Sequence, residues 1–178
     1  MQRILDALGP LVEPLYGSIA DAESVLDVKV PELSETLATG PSRTHAVRGL
    51  VAYQLERRDI DPWSVTVTHN SGITLRHDGL VMRVLHGSSG GAIPSPGRNL
   101  ARQNFYLNPT LDDEMLPPSD NLLALWSLDH RSEVEIRIVR PTGTWRHGEA
   151  GKADLDFILP GPRQGSRAWR SLARTRTS

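Results

Sequence analysis

The sequence predicts an α+β fold: N-terminal helices packed on a mainly antiparallel sheet of about six strands, with a long insertion loop. Three observations predict it. Apolar residues recur at helical spacing through residues 1–60. From Trp63 they alternate with polar residues at a period of two. Between the strand-like parts lies "HGSSGGAIPSPGRNLARQNFYLNP", residues 86–109, rich in glycine and proline.

Ile4, Leu5, Leu8, Leu11, Val12, Leu15, Tyr16 and Ile19 define the first helical face. Pro10 and Pro14 interrupt it, each removing a backbone donor and crowding the preceding turn. A kinked helix or two short ones is expected. Residues 21–39 read as short helical turns around Pro31. After the break "GPSRTH", Ala46, Val47, Leu50, Val51 and Leu55 form an amphipathic helix over about 43–58, ending at "RRDIDP".

Trp63, Val65 and Val67 alternate with Ser64, Thr66 and Thr68, the pattern of a half-buried strand. Ile73 and Leu75 continue the pattern after "NSG", and Leu80, Met82 and Val84 after Asp78–Gly79. An Asp-Gly pair between such runs predicts a type I′ hairpin turn. That turn pairs residue 75 with 82 and 73 with 84, and a three-residue turn at 70–72 pairs 67 with 75. All of these share one parity, so one face is apolar across three strands, as a fixed register requires.

The continuous apolar run "NLLALWSL", 121–128, reads as a buried strand. "EVEIRIVR", 133–140, and "KADLDFIL", 152–159, alternate again. Residues 1–160 are expected to be a single α+β domain, helical over 1–60 and sheet over 61–160. Residues 161–178 form a basic amphipathic tail, with Arg163, Arg167, Arg170 and Arg174 on one side of a helix and Trp169 and Leu172 on the other.

Composition narrows the function classes. The chain has 178 residues, enough for one core plus extensions. It has no cysteine and only two lysines, Lys29 and Lys152. The absence of cysteine gives a cytoplasmic expectation. No apolar run reaches the ~20 residues that span a bilayer. The first residues show no signal-peptide pattern. Five arginines and no acids lie in 161–178; removing that +5 from a total of −1 leaves about −6 on residues 1–160. The tail is therefore basic and the body acidic.

The 86–109 stretch is the first candidate for chemistry. Glycine-rich backbone can cradle an anion before a helix N-terminus, and Arg98 and Arg102 lie one turn apart in the helix that follows. Neither GxxxxGK[ST] nor GxGxxG is present, and Pro94 and Pro96 separate glycines from helix. A gating or connecting loop is the plainer reading.

Among the histidines, His69, His77 and His86 stand at strand ends on the apolar parity. His69 and His86 fall on the outer strands of the meander, roughly 10 Å apart, too far for a shared metal. No metal site and no cofactor is expected. His86 abuts the glycine loop and is the best catalytic candidate.

Asp129, Glu133, Glu135, Asp154 and Asp156 could hold Mg²⁺ in a nuclease-like arrangement, but "EVEIR" offers Arg137 where an ExK element has lysine. A solvated face, partly paired with Arg76, Arg83 and Arg137, is simpler. Ser88 and Ser89 follow His86 without a GxSxG elbow. Arg43, Arg48, Arg57 and Arg58 lie in a helix without a convincing helix-turn-helix partner.

"PGRNLARQNFY" followed by "NLLALWSLD" resembles a pattern in small uncharacterised proteins of actinobacteria and their phages, over roughly residues 45–160. The resemblance carries no function. It implies an intracellular protein with a recurrent role for the loop, Trp126 and Asp129.

The reading that follows is a small intracellular interaction or regulatory protein, non-enzymatic, associated with nucleic acid through Arg163, Arg167, Arg170 and Arg174. One alternative is a phosphate-handling or nuclease-like enzyme using the 86–106 loop and outward carboxylates. The other is a structural or assembly subunit that self-associates, or meets a protein partner, through the N-terminal helix.

Overall fold

The computed structural model describes residues 1–29, 31–32, 41–68, 72–87, 91–108 and 120–162. The chain forms two compact units: residues 1–73 with the chain from Pro160 onward, and Thr74–Leu159. Strand β1 thus groups with the helices rather than with the larger part of the sheet.

In the first unit, α1 spans Gln2–Leu8, a 3-10 turn follows at Gly9–Leu11, and α2 spans Val12–Ser24. Pro10 lies in the turn, and Pro14 in the first turn of α2. There a missing N–H costs nothing, because the first N–H groups of a helix have no internal acceptor. The prolines thus divide one apolar stripe between two helices. A π turn, Val25–Lys29, ends the run. Helix α3 spans Pro41–Leu55 and packs against α2.

Leu8, Leu11, Leu15 and Ile19 are buried, as are Val47, Val51 and Leu55. Arg43 binds Glu23 at 2.6 Å and Asp27 at 3.0 Å, and Arg58 binds Asp21, fixing α2 to α3 and its C-terminal turn. Burial raises the Glu23 carboxyl above its usual range, against the Arg43 charge. The Trp63 indole N–H donates to the Ala7 carbonyl at 2.8 Å.

Six strands form one sheet in the order β1-β2-β3-β4-β5-β6: Ser64–Val67, Ile73–His77, Leu80–His86, Asp120–Leu128, Val134–Pro141 and Ala153–Ile158. The α+β class and the mostly antiparallel sheet agree with the sequence reading. Asp78 and Gly79 both have positive φ, 43° and 72°, as the Asp-Gly hairpin requires.

One pair differs from its neighbours. β3 and β4 run parallel, Met82 beside Leu122 and His86 beside Trp126. Parallel neighbours need a connection of a dozen or more residues that returns the chain to its starting end. Residues 87–119 serve that purpose, and they carry helix α4, Leu100–Leu107. The long insertion is a topological crossover.

Within the second unit the central strands are buried on both faces, which is why "LLALW" is apolar throughout. The first face carries Leu80, Met82, Val84, Leu122, Ala124, Trp126, Ile136 and Ile138. On the second face, Phe105 and Tyr106 of α4 join Leu123, Leu125, Val139 and Trp145 in a separate cluster.

Asn108 closes α4 in the left-handed conformation, φ 43°. Its side-chain amide donates to the carbonyls of Asn121 at 3.0 Å and Pro141 at 2.6 Å, and its oxygen accepts from the Asn121 N–H at 2.6 Å. The Asn121 amide donates to the Phe105 carbonyl at 3.0 Å. Two asparagines thereby tie the end of α4 to β4 and β5.

Candidate functional site

The second half of the crossover is locally well specified. Asn99 caps α4, its side-chain oxygen accepting from the Arg102 N–H at 3.0 Å. Gln103 donates to the Gly97 carbonyl at 2.8 Å, and the Ser95 hydroxyl accepts from the Gly97 N–H at 3.1 Å. Gly97 has φ 65°, so a side chain there would be strained. Within "PSPGRNLARQ", these bonds set the angle at which α4 leaves the turn.

Arg98 and Arg102 are both exposed. Arg102 and Tyr106 are four residues apart in α4 and so share a face. From the sheet side, Arg83 of β3 places its guanidinium 4.2 Å from the centre of the Phe105 ring. Burial lowers the Arg83 pKa, and the positive charges of Arg102 and Arg76 lower it further. Burial raises the Tyr106 phenol, opposed by the charges of Arg102 and Arg83. Arg83 thus rests on the Phe105 ring, and Arg102 lies one turn before Phe105 and Tyr106 in α4. Among the described residues, neither Arg83 nor Arg102 has a carboxylate partner within salt-bridge distance.

The phenol is itself unusual. Tyr106 is 1% exposed, and among the described residues its hydroxyl has no hydrogen-bond partner. The Trp145 ring lies 5.3 Å away, and its buried indole N–H also lacks one. A buried donor left without an acceptor costs about 1–3 kcal/mol. Native structures hold few such groups, and they commonly mark a water, ion or ligand position.

The carboxylates have other engagements. Arg137 forms a two-point ion pair with Asp156, with its Nε 2.6 Å from Oδ1. A third Arg137 contact reaches the Gly91 carbonyl, so part of the glycine loop is held by its oxygen rather than presenting N–H groups to an anion. Arg140 lies 3.2 Å from Asp120 and 3.6 Å from Asp154. Asp129 organises the β4–β5 turn, accepting from the Arg131 and Glu133 N–H groups at 2.8 Å each. Those bonds lower its pKa. Among the described residues, no group of three His, Asp or Glu is placed to hold a metal.

His86 follows a different course from Arg102. Its strand neighbour is Trp126, and the two rings make an edge contact at 4.5 Å. Partial burial there depresses the imidazole pKa. His86 and Arg83 are three residues apart in one strand, so their side chains project from opposite faces. His86 is thus on the Trp126 face, and α4 covers the other. Arg83 and the helix that carries Arg102 thus lie on one side of the sheet, and His86 on the other. His69, Ser88, Ser89, Arg163, Arg167, Arg170 and Arg174 lie outside the described residues.

Sequence reading missed the roles of Arg83, Tyr106, Trp145, Asn108 and Asn121. The Arg102–Tyr106 spacing in "LARQNFY" was a readable signal. The convergence of Arg83 and Trp145 on it depends on the parallel crossover, which periodicity does not reveal.

No protein-family model matches the chain, and searches of the curated proteins and of the solved structures found no match. Among the described residues, no helix is long and apolar enough to cross a membrane.

Proposed function

We propose that this chain is a non-enzymatic interaction protein of the cell interior that binds a polyanionic partner, nucleic acid, through arginines. The observation that carries this reading is that Arg83 rests on the Phe105 ring and Arg102 lies one turn before Phe105 in the same helix, with no carboxylate partner for either arginine among the described residues. Like charges brought together repel each other, and a bound anion relieves that repulsion. Residues 1–160 carry about −6 overall, so a polyanion can approach only where charge is locally positive. The Arg163, Arg167, Arg170 and Arg174 side chains supply a second set of cations for phosphate contacts.

The ion pairs of Asp156, Asp154 and Asp120 argue against the nuclease-like alternative, because carboxylates held by arginine are poorly placed to bind Mg²⁺. The test is fluorescence anisotropy with labelled oligonucleotides between about 50 and 200 mM salt. Affinity is expected to fall steeply with salt. The slope should decrease by about 0.7–0.9 for each phosphate that is no longer neutralised, on truncation at Pro160 or in Arg83→Gln with Arg102→Gln. Binding that is absent, independent of salt, or unchanged in both variants overturns the reading.

A further inference from the structure

We propose that the outer face of α3 binds single-stranded nucleic acid, with Tyr53 and Arg57 as a stacking platform and His45 and Arg48 as a second contact. The inference rests on the nucleic-acid reading above and adds the form of nucleic acid and a place for it.

The two sides of α3 differ in character. Val47, Val51 and Leu55 are buried, whereas His45 and Tyr53 are exposed, Tyr53 at 51%. Residues 41–58 contain four arginines and one acid, Glu56, in a body that is acidic overall. Arg43 and Arg58 turn to the carboxylates of α2 and the π turn after it. Arg48 and Arg57 do not: neither has a carboxylate partner among the described residues.

Each of these two arginines is held against a ring instead. The Arg57 guanidinium lies over the Tyr53 ring, 3.6 Å from its centre, and donates to the Tyr53 carbonyl at 3.3 Å. Arg48 donates to the His45 Nδ1 at 2.7 Å, since a guanidinium has no acceptor of its own. His45 and Tyr53 are eight residues apart, about 12 Å along the axis at a rise of about 1.5 Å per residue. Gly49 stands between them at four-residue spacing, with no side chain to obstruct a strand passing from one ring to the other.

The choice of a single strand follows from what these pairs offer. A guanidinium stacked on an aromatic ring extends a flat surface for a nucleobase, and its edge keeps N–H groups for phosphate. A base gains from that surface only when its own face is free. In a duplex the bases are stacked on one another and present only their edges in the grooves. An unstacked single strand supplies free faces and phosphates together.

The experiment uses the full chain and fluorescence anisotropy with a labelled single strand, its duplex, and a strand of equal length whose sugars carry no bases. The complete strand is expected to bind on the order of tenfold more tightly than the base-free one, the worth of one stacked base. Tyr53→Ala should remove that preference and leave duplex affinity unchanged, whereas Tyr53→Phe should keep it. Arg57→Gln should lower the single-strand salt slope by about 0.7. All three changes lie at exposed positions and should melt like the wild type.

Equal affinity for the complete and base-free strands overturns the proposal, as does a preference that survives Tyr53→Ala or a duplex affinity that falls equally with it. Salt-sensitive binding that responds to truncation at Pro160 or to Arg83→Gln with Arg102→Gln, but not to Tyr53→Ala, leaves the wider reading standing and overturns this one. Tyr53-dependent binding that is unchanged in those other variants supports this site and removes the role given to Arg83, Arg102 and the tail. Failure to bind any oligonucleotide overturns both.

Discussion

The two faces of the second unit's sheet are built from alternate residues of the same strands, yet they differ in chemistry. On the first face, Leu80, Met82, Val84, Leu122, Ala124, Trp126, Ile136 and Ile138 are buried and bring in no polar side-chain atom except the Trp126 indole. On the second, Leu123, Leu125 and Val139 meet Phe105, Tyr106 and Trp145, with Arg83 laid against them. Two of those groups, the Tyr106 hydroxyl and the Trp145 N–H, are buried without partners among the described residues. Toward the end of the first face, Asp120 and Arg140 form an ion pair, with the Arg140 Nε buried and without a hydrogen-bond partner among the described residues. The second carries its polar groups at the centre, inside the aromatic cluster.

The contrast can be broken most forcefully on the apolar side. Trp126→Ala removes a side chain that is 2% exposed and should cost about 3–5 kcal/mol in urea unfolding. A loss under about 1 kcal/mol would show that the first face is not a packed core.

The asparagine tie beneath the second face comes next. Asn108→Ala removes three hydrogen bonds and places a Cβ-bearing residue without polar compensation at φ 43°, so about 2–4 kcal/mol is expected. Asn108→Gly loses the same bonds but relaxes the backbone, and should recover about 1 kcal/mol of that loss. Equal costs for the two would mean that backbone strain plays no part.

Tyr106→Phe should move stability the other way, or not at all. Removing an unpartnered buried hydroxyl should be neutral or stabilising, by up to about 1 kcal/mol. Clear destabilisation would mean that the hydroxyl is already satisfied in solution.

The smallest effect belongs to His86. Its folded pKa lies below its unfolded value because of partial burial beside Trp126. The neutral form therefore favours folding. That contribution is present above the unfolded pKa of about 6.5 and is lost as pH falls through the lower folded value. An imidazole NMR titration should place the midpoint under the ordinary histidine value; a midpoint at or above it would show that the ring stands clear of Trp126.

The sequence revealed what repeats locally. Alternation identified the strands, the Asp78–Gly79 pair fixed a hairpin, and Pro10 and Pro14 divided the first helix. Arg102 stood out through its spacing from Arg98. The parallel pairing of β3 with β4 was not legible, because an apolar strand fits either neighbour direction and only the return path decides. Arg83 was expected among the ion pairs of the solvated face. It lies over Phe105 instead, since α4 covers that part of the sheet and half-buries the guanidinium. Asn108 was hidden for a related reason: its two partners, Asn121 and Pro141, sit on strands further along the chain.

The parallel seam also dictates an order of assembly. The β2–β3 hairpin closes across two residues, and β4–β5 across a short turn held by Asp129. Each can form on the microsecond scale from neighbouring chain. The β3–β4 ladder closes a far longer loop than either hairpin, so its closure has the larger entropic cost. Two hairpins would then exist before the sheet does, and the α4 crossover would be the stroke that unites them. Changes at Asn108 and Asn121 should accordingly speed unfolding more than they slow folding.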